Sequence, residues 1–594
     1  MYEHFGTKPV IEIDGQLLGD EFVELLDMTV VEDHLSLPDT FTIRFSDLYR
    51  NQEGATPGGS LLEAAGLTIG TEIKISGIPL GANEVELLII GEVTAIEGAY
   101  EAGRGRHIAV RGHDFFHRLH RGRKTEMYNQ ATDASLVQAV AGEAELTVGT
   151  VDDFTYKDPV PRFNQTGAEF LGPKARAHDR ELRIVSNGMP QLVFQERAEA
   201  SEAPEPGGGA TDGPPERRKL IFGQNLRSFV PRVTAPQHEK AQARGWDPSQ
   251  KKMLESNEEP IAGNNAVLSG LGEDAASLAG KFGSATYLQP TPYDDQGEVD
   301  ALAKTLAAQI GSTYAEAEAT IDGMAVRAGE AVSVEGVSKE FVGQWTVGST
   351  RHVFDGQGWR THLMLTGSQD RTIYGLLSNG AENITLDSGP PINGVVIGVV
   401  TDVQDPDKLG RVKVKFPWVS DGDTAYASHW ARVVQAGAGA DRGTVILPEK
   451  DDEVLVAFNM GNPRFPYVLG GLYNGVDKAD PGPFEAPDSS GKMNWRGFIS
   501  GLKHRLIFSD KSGDEYVELS TGDKKYMLKL DQGKTQIEIE SGGKITIHGT
   551  QDITVKGDTN VKFEATGNLE LKGAMVKIES SGVLEAKGSV IKLN

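Results

Sequence analysis

Residues 544–557 read KITIHGTQDITVKG, and one short phrase occurs in them twice. Ile545 and Ile547 flank Thr546; eight residues later Ile553 and Val555 flank Thr554. Two apolar residues one apart point to the same face of a strand. The step holds in both directions. The first member of the pair falls at Ile537, Ile545, Ile553, Val561 and Leu569, and the second at Ile539, Ile547, Val555, Phe563 and Leu571. Two residues beyond each pair stands a small residue: Ser541, Gly549, Gly557, Ala565 or Gly573. One position is then dropped, the octads resume at Val576/Ile578 and Leu584/Ala586, and Ile591 with Leu593 makes a last pair. Upstream, Leu506/Phe508, Val517/Leu519 and Leu528/Leu530 repeat at a step of eleven, the extra length being polar loop.

Each unit is a short strand and a turn with one apolar and one polar stripe. Glu538, Thr546, Lys556, Lys562, Glu570 and Glu579 occupy the polar stripe and belong in water. A lone chain of this pattern leaves apolar surface and strand edges open, which repeat architectures cure by stacking and closure. A one-chain solenoid would repeat at two or three times eight residues. Identical octads instead predict three chains winding together, the paired residues meeting on a threefold axis. Burial at roughly 1.5–3 kcal/mol per side chain makes tens of kcal/mol available only on association.

The chain has 594 residues, room for three or four domains. With 59 Lys plus Arg against 85 Asp plus Glu its formal charge is −26, which disfavours non-specific nucleic-acid binding. Cysteine is absent, removing disulfides, thiolate nucleophiles and Cys-based zinc sites together. MYEHFGTKPVIEIDG has no signal-peptide pattern, and no apolar run is long enough to span a membrane. Assembly in the cytoplasm, then export by a route without an N-terminal signal, is the expectation. The 71 Gly and 28 Pro suit a turn-rich β protein.

Strand patterns fill residues 1–115. Asp133 is placed to cap the helix ASLVQAVAGEA, and GAEFLGPKARAHDREL has helical composition broken by Pro173. Residues 198–219, rich in Pro, Gly and Glu, read as a mobile loop. Val299, Leu302, Ala303, Leu306 and Ile310 mark one amphipathic helix face. From 392 to 475 five or six short strands, among them GRVKVKFPW, GTVILP and DEVLVAF, predict a small Greek-key barrel of the OB type.

DKLGRVKVKFPW (407–418), HWARVVQAGAG (429–439), GTVILPEKDDEVLVAF (443–458) and NPRFPYVLGGLYN (462–474), with the octads behind them, resemble the spike proteins of contractile injection systems, the VgrG or phage late-control-D family. Within these blocks the OB signature is Gly410, Arg411, Phe416, Pro417, Trp418, Trp430, Pro448, Pro466 and Gly470. SLPDTFTIRFSD (36–47), RGHDFFHRLHRGRKTEMYN (111–129), FNQTGAEFL (163–171), GWDPSQKK (245–252) and GSTRHVFDGQGW (348–359) resemble the family's hub. The resemblance implies a mainly β protein: barrel-like hub domains with a few inserted helices over 1–378, an OB collar over 385–475, a linker over 476–500, and a triple-stranded β-helix needle over 501–594 formed by a homotrimer. It also implies partners: a hexameric inner tube at the hub, baseplate proteins, a PAAR-type tip at the needle end and effector cargo. The linker is too short for the lysozyme domain of some phage spikes, and with VIKLN closing the sequence neither a fused hydrolase nor a fused toxin is expected.

Catalysis finds no footing. His113, His117 and His120, at i, i+4 and i+7, would share a helix face as a three-His metal site, but the family resemblance accounts for the stretch as hub structure. GAGADRG (437–443) has Arg442 where a nucleotide loop needs Gly and reads as a barrel turn. Asp451/Asp452 and Glu258/Glu259 are adjacent in sequence and offer no glycosidase geometry. No catalytic residue, metal site or cofactor is assigned, and neither nucleic acid nor stable membrane insertion is expected. The function expected is a mechanical, non-enzymatic spike joining the inner tube to a needle that pierces the target membrane. The alternative is a tail-associated polysaccharide- or peptidoglycan-degrading enzyme on a β-helix scaffold.

Overall fold

In the computed structural model, residues 1–477 and 478–594 form two separate units. The structure describes the chain except residues 1–7, 36, 47–59, 80–83, 102–104, 158, 187–188, 208–217, 264, 269, 284, 368–390, 418–426, 480–486, 488 and 593–594. The chain is mainly β, with few helices.

The first unit is organised by an eleven-stranded antiparallel sheet. Its centre joins distant parts of the chain: Leu26–His34 pairs on one side with Thr40–Ser46 and on the other with Ser349–Asp355. Alternation explains the burial. On Thr40–Ser46 the residues Phe41, Ile43 and Phe45 face the core, while Thr42 and Arg44 do not. A second core collects Leu136, Val137, Val140, Phe170, Leu171 and Phe194 beneath two helices. The third surrounds the helix Gln296–Gly311, where Val299, Leu302, Ala303 and Leu306 are buried and Ile310 packs at the margin, as the periodicity predicts.

Three local expectations need correction. Thr132, not Asp133, caps the helix Asp133–Glu143, through a reciprocal capping box with Ser135. Asp133 is instead buried, accepting a hydrogen bond from Tyr156 at 2.7 Å. Pro173 does not break its helix, which runs Gly167–Ala177. The missing proline N–H would have served the Glu169 carbonyl, and the buried Gln165 side-chain amide donates to that carbonyl instead at 3.4 Å. Finally, part of 198–219 is packed: a 3₁₀ turn at Ala200–Glu202 buries Ala200, and the carbonyl of the buried Ala203 accepts from Gln344.

A five-stranded barrel sheet follows, in the order Lys413–Lys415, Val395–Asp402, Glu453–Phe458, Pro466–Gly471, Arg432–Val433. Val412 and Ala431 exchange backbone hydrogen bonds of 3.0 and 2.7 Å, closing the sheet on itself. Val400, Val412, Val414, Phe416, Val454, Val456 and Val468 fill the interior. One expected strand is missing, because GTVILP carries only the end of the two-residue strand Arg442–Gly443.

The second unit begins as an antiparallel meander of Trp495–Ile499, Arg505–Lys511, Asp514–Ser520, Tyr526–Asp531 and Gln536–Ser541. The eleven-residue repeats thus form an in-chain sheet, their polar loops serving as its turns. From 542 to 592 every residue is exposed and none belongs to a strand within the chain.

Candidate functional site

Register turns the upstream repeats into a surface. Phe498 lies opposite Leu506, Leu506 opposite Leu519, Leu519 opposite Leu528, and Leu528 opposite Ile539. A parallel row runs Phe508, Val517, Leu530, Ile537. Residues opposite one another share a face, so the two rows make one apolar sheet face. Among the described residues most of it is left uncovered: Ile537 is 72% exposed.

The reverse face mixes buried Trp495 and Ile507 with charged side chains that pair within the chain. Lys529 Nζ sits 3.8 Å from the Tyr516 ring centroid and 3.2 Å from Asp531. Burial, reinforced by Glu518 and Asp514, pushes the Tyr516 hydroxyl up to about 12. The Lys534 N–H, then Lys529, hold the Asp531 carboxyl below its usual range. One face is therefore satisfied within the chain and the other is not.

The octads continue that imbalance. Ile545, Ile547, Ile553, Val555, Val561, Phe563, Leu569, Leu571, Val576, Ile578, Leu584 and Ile591 are all exposed, Ile547 to 75%, as are Ile537 and Ile539 on the meander's last strand. Leu593 lies outside the described residues. The polar stripe is organised, since Lys562–Glu564, Lys577–Glu579 and Glu585–Lys587 form ion pairs two residues apart. Such exposed pairs add little stability, but they mark the wet face.

The OB signature residues turn out to be structural. Arg411 grips Asp405 with two hydrogen bonds of 3.1 and 2.6 Å, and Asp405 also accepts the backbone N–H groups of Asp407, Leu409 and Arg411. Arg411, followed by these N–H groups, holds that carboxyl far below the usual range. Gly410 inside the loop has φ +71°, where a Cβ would be strained and would sit 3.3 Å from Leu447. Phe416 is core, Pro417 is exposed, Trp430 lies 5.0 Å from Lys413 Nζ, and Pro448 is half-buried. Pro466 opens its strand, a position that needs no N–H, and Gly470 sits at a bulge opposite Leu455. Trp418 lies outside the described residues. Beside the signature, Val445, Ile446 and Leu447 form a second uncovered apolar patch, with Val445 84% exposed.

Sequence reasoning missed how the barrel is fastened to the preceding domain. Arg464, fully buried in NPRFPYVLGGLYN, donates to Glu298 of the helix Gln296–Gly311 at 2.7 Å and packs against Tyr156, Tyr293 and Phe465. Phe163 meets Phe416 edge-on at 6.1 Å. A charged residue flanked by Pro463 and Phe465 was the available signal. The three histidines separate in use. Phe115–His120 is 3₁₀ rather than α, so the i, i+4, i+7 face does not form. His113 bonds Thr94 at 2.8 Å, His117 bonds Glu92 at 2.8 Å, and His120 meets the Phe116 ring at a tilt, 5.7 Å between centroids. Among the described residues no cluster of three His, Asp or Glu is placed to hold a metal. GAGADRG is a hairpin turn of the barrel, pairing Ala438 with Gly443.

The family described as the type VI secretion system/phage-baseplate injector OB domain matches residues 396–473. A second, described as the Alg8 N-terminal domain, matches 207–355. The type VI secretion system spike protein VgrG3 of Vibrio cholerae is 32% identical over 137 residues, 22% of this chain and 13% of that protein. The spike protein VgrG1b of Pseudomonas aeruginosa is 34% identical over 157 residues, 25% of this chain and 19% of that one. This chain therefore matches less than a fifth of the length of either relative. Among solved structures, the Francisella PdpA–VgrG complex shares the fold over 90% of this chain and 80% of that chain, at 8% identity and a TM-score of 0.50. The barrel thus matches the injector OB domain, and the chain is similar to VgrG spike proteins over part of its length. Among the described residues no helix is long and apolar enough to cross a membrane.

Proposed function

We propose that this chain is the structural spike of a contractile injection system of the type VI kind and works as a homotrimer. The observation that carries the reading is the run of exposed apolar residues, from Phe498 on the meander to Ile591 at the end of the octads. Residues so exposed in one copy are what symmetric winding of three copies would bury. The injector OB match supports the same reading from the barrel side.

In this proposal residues 1–378 are the hub that docks on a hexameric inner tube within the baseplate. Residues 385–475 form the collar, 476–500 the linker and 501–594 the needle, whose end seats a PAAR-type tip. Residues Ile537 to Leu593 of the octad pairs form the axis. The work is mechanical, thrust delivered to a narrow point, and no catalytic group is assigned. Cargo rides on or beside the particle, which is assembled in the cytoplasm and then exported. Mass-resolved chromatography of the full chain tests the reading: three copies per particle are expected, and a stable monomer overturns it.

A further inference from the structure

A cavity of about 600 Å³ opens in the first unit between the strand Arg180–Ser186, the 3₁₀ turn at Ala200–Glu202 and the C-terminal end of the helix Gln296–Gly311. That volume is in the range of small-ligand sites. Its lining holds charge of both signs, with Asp179, Glu181 and Glu196 beside Arg180 and Arg197. Arg180 reaches Glu196 at 2.6 Å through a terminal nitrogen, while its Nε is buried without a hydrogen-bond partner. Arg197 is less committed. Its side chain is only 15% exposed, and among the described residues its ion contact is Asp179 at 3.6 Å, beyond hydrogen-bond distance. Its Nε is likewise buried and unpartnered.

Acceptors on the same cavity are left over in the same way. Glu181, 2% exposed, accepts through Oε1 from Arg183 at 3.1 Å and Gln195 at 2.7 Å, while its Oε2 has no hydrogen-bond partner. Asn265, 4% exposed, donates its amide to the Ala315 carbonyl, and its Oδ1 is unpartnered. Buried polar atoms are almost always paired. Two donors and two acceptors without partners on one cavity therefore ask for a ligand that brings both kinds of group. Both donors belong to guanidiniums and one acceptor to a carboxylate, and hydrogen bonds to ionised groups are the strong ones. A ligand that carries a positive and a negative end together answers all four atoms.

We propose that this cavity binds a free α-amino acid as the zwitterion, its carboxylate on the Nε–H groups of Arg197 and Arg180 and its ammonium on Glu181 Oε2 and Asn265 Oδ1. A cation alone would leave the two guanidinium N–H groups unpaired. An anion alone would leave the two acceptors unpaired and add charge to a wall with more carboxylates than guanidiniums. The volume leaves room for a side chain beyond the two charged ends.

Isothermal titration of the full chain with each of the common α-amino acids in turn, carried to millimolar concentration, tests the proposal. At least one is expected to bind saturably. Its amide, which lacks the carboxylate, and its N-acetyl form, which lacks the ammonium, are each expected to bind about tenfold more weakly or worse. That comparison is made on the parent chain and needs no variant. Glu181→Gln is expected to weaken the best binder about tenfold. Should that variant fold poorly, Arg197→Lys, which keeps the charge and loses the Nε–H, is expected to lower affinity by a similar factor with the circular dichroism unchanged. The proposal is overturned if no amino acid gives saturable heats, which leaves water as the content of the cavity. It is equally overturned if the amide or the N-acetyl form binds as tightly as the amino acid, or if a folded variant keeps the parent affinity.

Discussion

Arg464 and Glu298 form an ion pair at 2.7 Å with side chains 0% and 8% exposed, although 166 positions separate them in sequence. The pair fastens the barrel to the helix Gln296–Gly311 inside one unit. Taking one member away removes a short charge-assisted hydrogen bond from the other in a buried, aromatic surround. Arg464→Met is therefore expected to destabilise this unit by about 3–5 kcal/mol, read as a fall in the urea midpoint of its transition. The double variant with Glu298→Leu should recover most of the loss, since no lone charge remains. Equal midpoints for the parent and Arg464→Met would remove the pair from the account.

Ile547→Asp sets a carboxylate in the middle of the octads, and three meet if three copies wind together. The expected outcome is a soluble, folded first unit that runs as a monomer in mass-resolved chromatography. Trimers that persist in detergent would contradict the axial position given to Ile547.

His352 is buried between Thr350 and Thr361, at 3.2 and 3.0 Å, and burial, with Arg327 nearby, pushes its imidazole down to about 3. Its folded value lies below the unfolded one near 6.5, so the neutral ring favours the fold above that pH. As pH falls from about 6.5 towards 3, the unfolded chain gains a proton that the folded chain refuses. Stability then drops by up to ~1.4 kcal/mol per pH unit from this group. His352→Asn should be less stable than the parent at neutral pH, with the gap closing in acid. A gap independent of pH would refute the assignment.

Asp39 behaves in the opposite sense. Burial first, then Asp33 and Asp114, push its carboxyl well above the usual range, against the His34 N–H and Arg183. Its contribution is intact below the unfolded value and lost as pH climbs through the folded one. Asp39→Asn keeps an acceptor for the His34 N–H, now 2.9 Å away. The variant should match the parent in acid and exceed it at neutral pH in denaturant titrations. Parallel stability curves would count against it.

Periodicity was the most legible feature. The face of Val299, Leu302, Ala303 and Leu306, the alternation of Phe41, Ile43 and Phe45, and the barrel valines could all be read because burial repeats at the period of the element. Hydrogen bonding between side chain and backbone was not legible. Gln165 standing in for a proline N–H, and Thr132 taking the cap from Asp133, depend on which oxygen or amide arrives at a few ångströms, and no spacing rule carries that. GTVILP failed for another reason. Val445, Ile446 and Leu447 have strand propensity, but among the described residues no strand pairs with them, and propensity without a partner makes no strand. The eleven-residue repeats carried the apolar pairs legibly, with the polar loops as hairpin turns, while their pairing within one chain rested on loop length that the spacing alone does not decide.

Those hairpins set an order of events. Their connections are two to five residues long, so the meander from Trp495 to Ser541 forms by local closure before a second molecule is met. Residues 542–592 have no comparable local route. The tail therefore reaches any neighbour with its first rows of Leu, Phe and Ile already aligned. If copies wind together as proposed, a second strand would be indexed against the finished edge at Gln536–Ser541, as a zip is started from its box, and slippage by one octad would be decided there.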